Sequence, residues 1–196
     1  MRMAPSDHPR APRASALPPD ERRAMIVEAT LPLLLENGEM VTTRQIADAA
    51  GIAEGTIFRV FADKEAVIAA VLEAALDPAP LERAIAAVDP TVGLDAALKA
   101  AVTIIQQRVV DTWRLFSSVG PRYYEPSRRP PVVIDALVAL LDAHRDRLAM
   151  KPVAAARLLR ALTLSVTHPM LGGEPTSPAT IVRLFLHGVS APEPTC

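Results

Sequence analysis

The sequence predicts an all-α chain, and three observations carry that expectation. Apolar residues recur at three- and four-residue spacing in one segment after another, and no stretch shows the convincing alternation of a strand. Residues 43–61, TRQIADAAGIAEGTIFRVF, place small and apolar side chains where a helix-turn-helix needs them. With 196 residues, 50% hydrophobic and 22% charged, the chain is globular rather than disordered and has room for one domain or two small ones.

Residues 1–17, rich in Pro, Arg, Ala and Ser, have little to bury and are expected to form a disordered tail. Arg2, Arg10 and Arg13 leave a minor-groove arm open as the alternative. The spacing of Met25, Ile26, Ala29, Leu33 and Leu34 predicts a first helix over 20–37, closed by Gly38. Pro32 lacks an N–H and crowds the preceding turn, so a kink is expected near Glu28. Thr42 followed three residues later by Gln45 reads as a capping box that opens a second helix. Ile46, Ala50, Ile52, Ile57 and Val60 then form a seam between two short helices. Ala47 lets them cross closely, and Gly51 supplies a turn whose left-handed backbone is cheap only without a Cβ. An ordinary helical hairpin is the competing reading. Asp63 before Lys64-Glu65-Ala66 reads as the N-cap of a helix over 63–76, which ends at Asp77-Pro78 and forms a lever between this motif and the rest of the chain.

Further along, a short amphipathic helix over 81–88 stops at Asp89-Pro90, and a long one follows over 92–119 with room for a break. A polar, proline-bounded loop covers 123–131. Helices over 132–150, 153–170 and 179–189 complete the chain, the last with Ser177 as N-cap, Pro178 at its first position and Gly188 at its close. That gives about nine or ten helices and no internal repeat. The last two are apolar on more than one side, whereas a surface helix needs a single stripe. Either a two-fold partner covers the second face in a four-helix bundle, with Leu158, Leu162, Val166, Ile181 and Phe185 at the contact, or both faces are buried inside the monomer.

Thr42-Thr43-Arg44, Ile46-Ala47, Ala50-Gly51-Ile52, Gly55-Thr56-Ile57-Phe58 and Phe61-x-x-Lys64-Glu65 resemble the DNA-binding half of the TetR family of transcriptional repressors. The resemblance is specific over 24–72 and architectural beyond. It implies an N-terminal three-helix helix-turn-helix DNA-binding domain over 18–64 and a larger helical ligand-binding and dimerisation domain over 65–196. The function it implies is that of a ligand-responsive regulator, in the repressor mode, that binds a palindromic operator in double-stranded DNA as a homodimer and is released by a small apolar or aromatic effector. Control by a protein partner, or by nothing, is the alternative.

By the same resemblance Thr42, Thr43, Arg44, Glu54, Gly55, Thr56, Phe58, Arg59 and Lys64 face DNA. Gly55 and Thr56 fall in the first turn of the recognition helix, where free backbone N–H groups favour phosphate. Arg44 and Arg59 suit a guanine edge or a phosphate, and Lys64 matches a phosphate-contacting lysine. Three residues depart from the family pattern. Phe58 lacks the hydroxyl of the usual aromatic, and Ala53 replaces a capping Ser at a cost of about 1 kcal/mol. Glu54 puts a carboxylate beside the groove, where it either accepts from a cytosine amino group or compensates the helix dipole. Charge offers no help: the net value is −1, and residues 1–76 hold eight Lys/Arg against eleven Asp/Glu, so binding rests on a few placed cations rather than bulk attraction.

For the effector, Gln106, Trp113, Arg114, Phe116, Tyr123, Tyr124 and His144 supply aromatic walls with a few polar groups, although burial in an ordinary core accounts for such residues equally well. An enzyme has little support. The four histidines are isolated, no triad or metal-ligand spacing appears, Gly172-Gly173 lacks the setting of a phosphate loop, and Cys196 stands alone, so no metal and no cofactor are expected. Without a signal-peptide pattern or an apolar run of spanning length, a cytoplasmic protein with no membrane partner is expected.

Overall fold

Side-chain caps start several helices where the sequence marks them. In the computed structural model, which describes residues 18–120, 123, 133–171 and 176–188, Thr42 and Gln45 form the reciprocal capping box of α2 (Thr43–Ala50). Asp63 accepts from the Ala66 N–H to open α4 (Lys64–Leu76), and Ser177 accepts from the Thr180 N–H to open α9 (Pro178–His187). Between them lie α1 (Pro19–Asn37), α3 (Glu54–Ile57), α5 (Ala79–Ala86), α6 (Leu94–Val119), α7 (Asp135–Asp142) and α8 (Pro152–Thr167). Among the described residues there is no strand, and no helix is long and apolar enough to cross a membrane.

Two apolar cores form, and α6 reaches both. The N-terminal core gathers Ile26 and Leu34 of α1, Ile46 and Ala47 of α2, Ile57 of α3 and Val67, Ile68, Val71 and Leu72 of α4, with Leu115 and Val119 from the last turns of α6. The second core joins Ile85 of α5, the first half of α6, and α7, α8 and α9. The whole of α4 therefore packs with the N-terminal core, although the sequence places the domain boundary at its first residue. Thr30 and Thr163, buried within their helices, return their hydroxyl protons to the carbonyls of Ile26 and Leu159 and so leave no unsatisfied donor.

Helix α1 continues through Pro32, which is exposed, as is Glu28 one turn before it. Two local expectations are revised. Helix α6 has no break over its 26 residues. The helix expected over 132–150 stops at Asp142. Asp142 pairs with Arg145, a 3₁₀ turn over Arg145–Arg147 follows, and the reversal turns Leu148 back against the second core. The start of α7 is fixed from outside, since both oxygens of Glu82 on α5 accept the backbone N–H groups of Asp135 and Ala136. No sequence pattern announces that cap, which joins residues 53 and 54 positions apart.

Candidate nucleic-acid interface and the cleft behind it

Helices α2 and α3 meet through the residues expected at their seam. Ile46, Ala47 and Ile57 are buried, with Ala50, Ile52 and Val60 half-buried beside them. Gly51 turns the corner at φ 65°, ψ 33°, and the Ile52 N–H closes back onto the Ala47 carbonyl. Helix α3 is a single α turn. Ala53 provides no side-chain cap, and beyond Ile57 the backbone tightens into three-residue bonds from Arg59 to Thr56 and from Val60 to Ile57.

This geometry places the expected DNA-facing residues unequally. Arg44 on α2 and Arg59 beyond α3 are exposed, and Phe58 keeps 53% of its surface accessible next to Arg59. Gly55 is exposed, but the Thr56 N–H donates to the Ala53 carbonyl, so it is not the free phosphate donor that the sequence suggested. Thr42 is committed to the capping box. The Thr43 hydroxyl donates to a Glu54 carboxylate oxygen, a link between the first residues of α2 and α3. Lys64, half-buried, sends its ammonium to the backbone carbonyl of Glu39 at 2.8 Å, and since an ammonium carries three protons this bond leaves two for a phosphate. Behind the head, the Arg23 guanidinium lies 4.4 Å from the centre of the buried Phe61 ring.

The residues expected around an effector do not converge. Gln106 on α6 donates to the Thr167 hydroxyl and the Thr176 carbonyl, which ties α6 to the end of α8 and the approach to α9. Two turns further on, Trp113 meets His168 edge to face at 4.7 Å. Phe116 and Tyr123 pack against the N-terminal core, and His144 buries an Nε2 that has no hydrogen-bond partner among the described residues. Tyr124 lies outside the described residues. Of the expected set only Arg114 borders the open cleft of about 1440 Å³ that runs between α1, α4 and α6. Leu31, Leu35, Ala70, Ala74 and Leu115 form apolar parts of its wall. Sequence reasoning missed this wall, although Leu31 and Leu35 stand one helical turn apart outside the inward stripe of Ile26, Thr30 and Leu34, and both are exposed.

The expected dimer residues also divide. Leu158 remains 48% exposed on α8, Leu162, Val166 and Phe185 are half-buried, and Ile181 is fully buried in the chain's own second core. Ile181 therefore has no surface to offer a partner, because α9 turns that side inward.

The head and its helical body define a helix-turn-helix DNA-binding protein. Residues 26–71 match the family model for bacterial regulatory proteins of the tetR family, so the helix-turn-helix head is of the TetR type. The fold agrees over most of the length. A TetR/AcrR-family regulator from Thermobifida fusca YX-ER1 is similar at 21% identity and TM-score 0.56, covering 87% of this chain and 100% of that one. The TetR-like regulator LfrR from Mycobacterium smegmatis, solved in complex with proflavine, is similar at 19% identity and TM-score 0.51, covering 88% and 98%. A TetR-family regulator from Marinobacter aquaeolei VT8 matches at 18% identity and TM-score 0.50, covering 86% and 95%. No curated protein matches the chain.

Proposed function

We propose that this chain is a cytoplasmic, ligand-responsive repressor that binds a palindromic operator as a homodimer and leaves it when a small apolar molecule binds. The observation that carries the reading is the head itself: an α2–α3 corner turned at Gly51, with Arg44, Phe58 and Arg59 exposed and Lys64 held at the start of α4 by its bond to Glu39. For the dimer, α8 supports the reading with Leu158 and Leu164 exposed at 48% and 37%, apolar surface outside the buried stripe that the described residues do not bury.

For the effector, the cleft between α1, α4 and α6 fits better than the scattered aromatic set. A molecule seated there touches two helices of the head and the helix that runs through both cores, so its binding energy acts directly on the head's placement. Coupling of about 1–3 kcal/mol changes operator affinity roughly 5- to 150-fold, with the same factor in reverse. That a regulator of this fold was solved with proflavine is consistent with a small-molecule role. The test is to map bound DNA in cells, assemble the complex on the recovered inverted repeat and challenge it with small apolar molecules. Release is expected for the native chain and to be weakened in Ala74→Phe, which puts a ring into the apolar wall of the cleft, and failure to recover any repeat contradicts the reading.

A further inference from the structure

The bond between Thr43 and Glu54 makes a choice that the sequence leaves open. A carboxylate at the first position of α3 is expected to compensate the helix dipole by lying over the free N–H groups of that turn. The hydrogen bond that Glu54 makes points elsewhere: one of its oxygens accepts from the Thr43 hydroxyl on α2, while the Thr56 N–H of its own turn is taken by the Ala53 carbonyl. The base that holds this carboxylate is stiff. Thr43 is β-branched and follows directly on the capping box of Thr42 and Gln45, and the α2–α3 angle is set by Gly51 in the left-handed region. Glu54 is exposed, as are Arg44 of α2 and Arg59 just beyond α3, while Thr43 is half-buried.

An oriented carboxylate has acceptors only. In the major groove guanine presents N7 and O6 and thymine presents O4, all of which repel it, and the adenine amino group sits beside the N7 acceptor. Cytosine presents its N4 amino donor alone. A charge of this sign also opposes the phosphates, so it lowers affinity for DNA in general while favouring one base. We propose that Glu54 is a specificity-determining residue that accepts from a cytosine N4 amino group in each half-site, and that Thr43 is its positioning residue. The inference rests on the DNA-binding reading above and deepens it.

The two effects of the carboxylate have opposite signs, and that separates this role from a structural one. Duplexes are selected from a random pool with the native chain, Glu54→Gln and Thr43→Val, and dissociation constants are measured on the selected site and on a scrambled duplex at one salt concentration. Gln keeps an acceptor for Thr43, so the corner remains formed. The native chain is expected to return an inverted repeat with one cytosine fixed in each half. Glu54→Gln relaxes that position by roughly 5- to 150-fold and at the same time binds scrambled DNA more tightly. Thr43→Val, which leaves the charge in place, relaxes the same position without tightening scrambled binding. An inverted repeat whose base profile is the same for the native chain and Glu54→Gln overturns the inference and leaves the DNA-binding reading standing. A native chain that selects no common sequence overturns both.

Discussion

Gly38 lies so close to the backbone of Ser118 that a Cβ on the glycine would fall 2.3 Å from the Ser118 carbonyl oxygen. Gly38 ends α1 at φ 56°, ψ −142°, a backbone region that only glycine occupies cheaply, and Ser118 belongs to the last turn of α6. The longest helix of the body thus ends on the corner of the head. The next residue, Glu39, receives Lys64 on its carbonyl, so α1, α4 and α6 meet within one turn of chain. Movement of α6 reaches the head through this contact as directly as through α4.

Replacing Gly38 by Ala is expected to destabilise the fold by more than the roughly 1–3 kcal/mol that the backbone conformation alone costs, because the rigid Ser118 carbonyl must also give way. In a chain of this size each kcal/mol lowers the thermal midpoint by about 2–4 °C. A midpoint equal to that of the native protein would mean that the two residues do not approach this closely.

Lys64→Ala removes both a structural bond to Glu39 and a placed cation. The expected result is a loss of about 1.5–3 kcal/mol of stability by denaturant titration and a salt dependence of DNA binding flatter by about one unit, with the preference among sequences retained. If stability falls while the salt slope stays as it was, Lys64 serves the corner alone.

Leu158→Glu places a carboxylate on the exposed apolar face of α8. Within the monomer the side chain is half in water, so the fold is expected to survive, while a dimer that buries the charge unpaired loses several kcal/mol. Sedimentation of the variant as a folded monomer is the predicted outcome. A native chain that sediments as a monomer removes the dimer from the account.

Because Trp113 packs on His168, its fluorescence is expected to report the junction of α6 with α8 and α9, not occupancy of the cleft. His168→Ala should move the emission of this single tryptophan to longer wavelength as the indole edge opens to water, and Gln106→Ala, which frees the same junction, should act in the same direction. Emission insensitive to both changes would place the indole elsewhere.

What was legible in the sequence was local. The capping box at Thr42, the left-handed turn at Gly51, the caps at Asp63 and Ser177 and the seam from Ile46 to Val60 depend on residues a few positions apart, and they appear as read. The early end of α7 and its cap by Glu82 depend on helices packing across more than fifty residues, which periodicity does not encode. For the same reason the aromatic residues grouped by proximity along α6 part company: a helix turns 100° per residue, so Trp113, Arg114 and Phe116 point toward α8, the cleft and the N-terminal core respectively. Ile181 looked like surface because α9 is apolar all round, and the face chosen for the core is set by α6.

The central claim is that the α2–α3 corner reads duplex DNA as a two-fold pair, and selection of duplexes from a random pool by the native chain tests it most directly. The account predicts an inverted repeat with half-sites about one helical turn or more apart, and a loss of about 1–3 kcal/mol of preference at one position of each half-site on Arg44→Ala. A pool that returns no inverted repeat, or one whose profile Arg44→Ala leaves unchanged at every position, contradicts it.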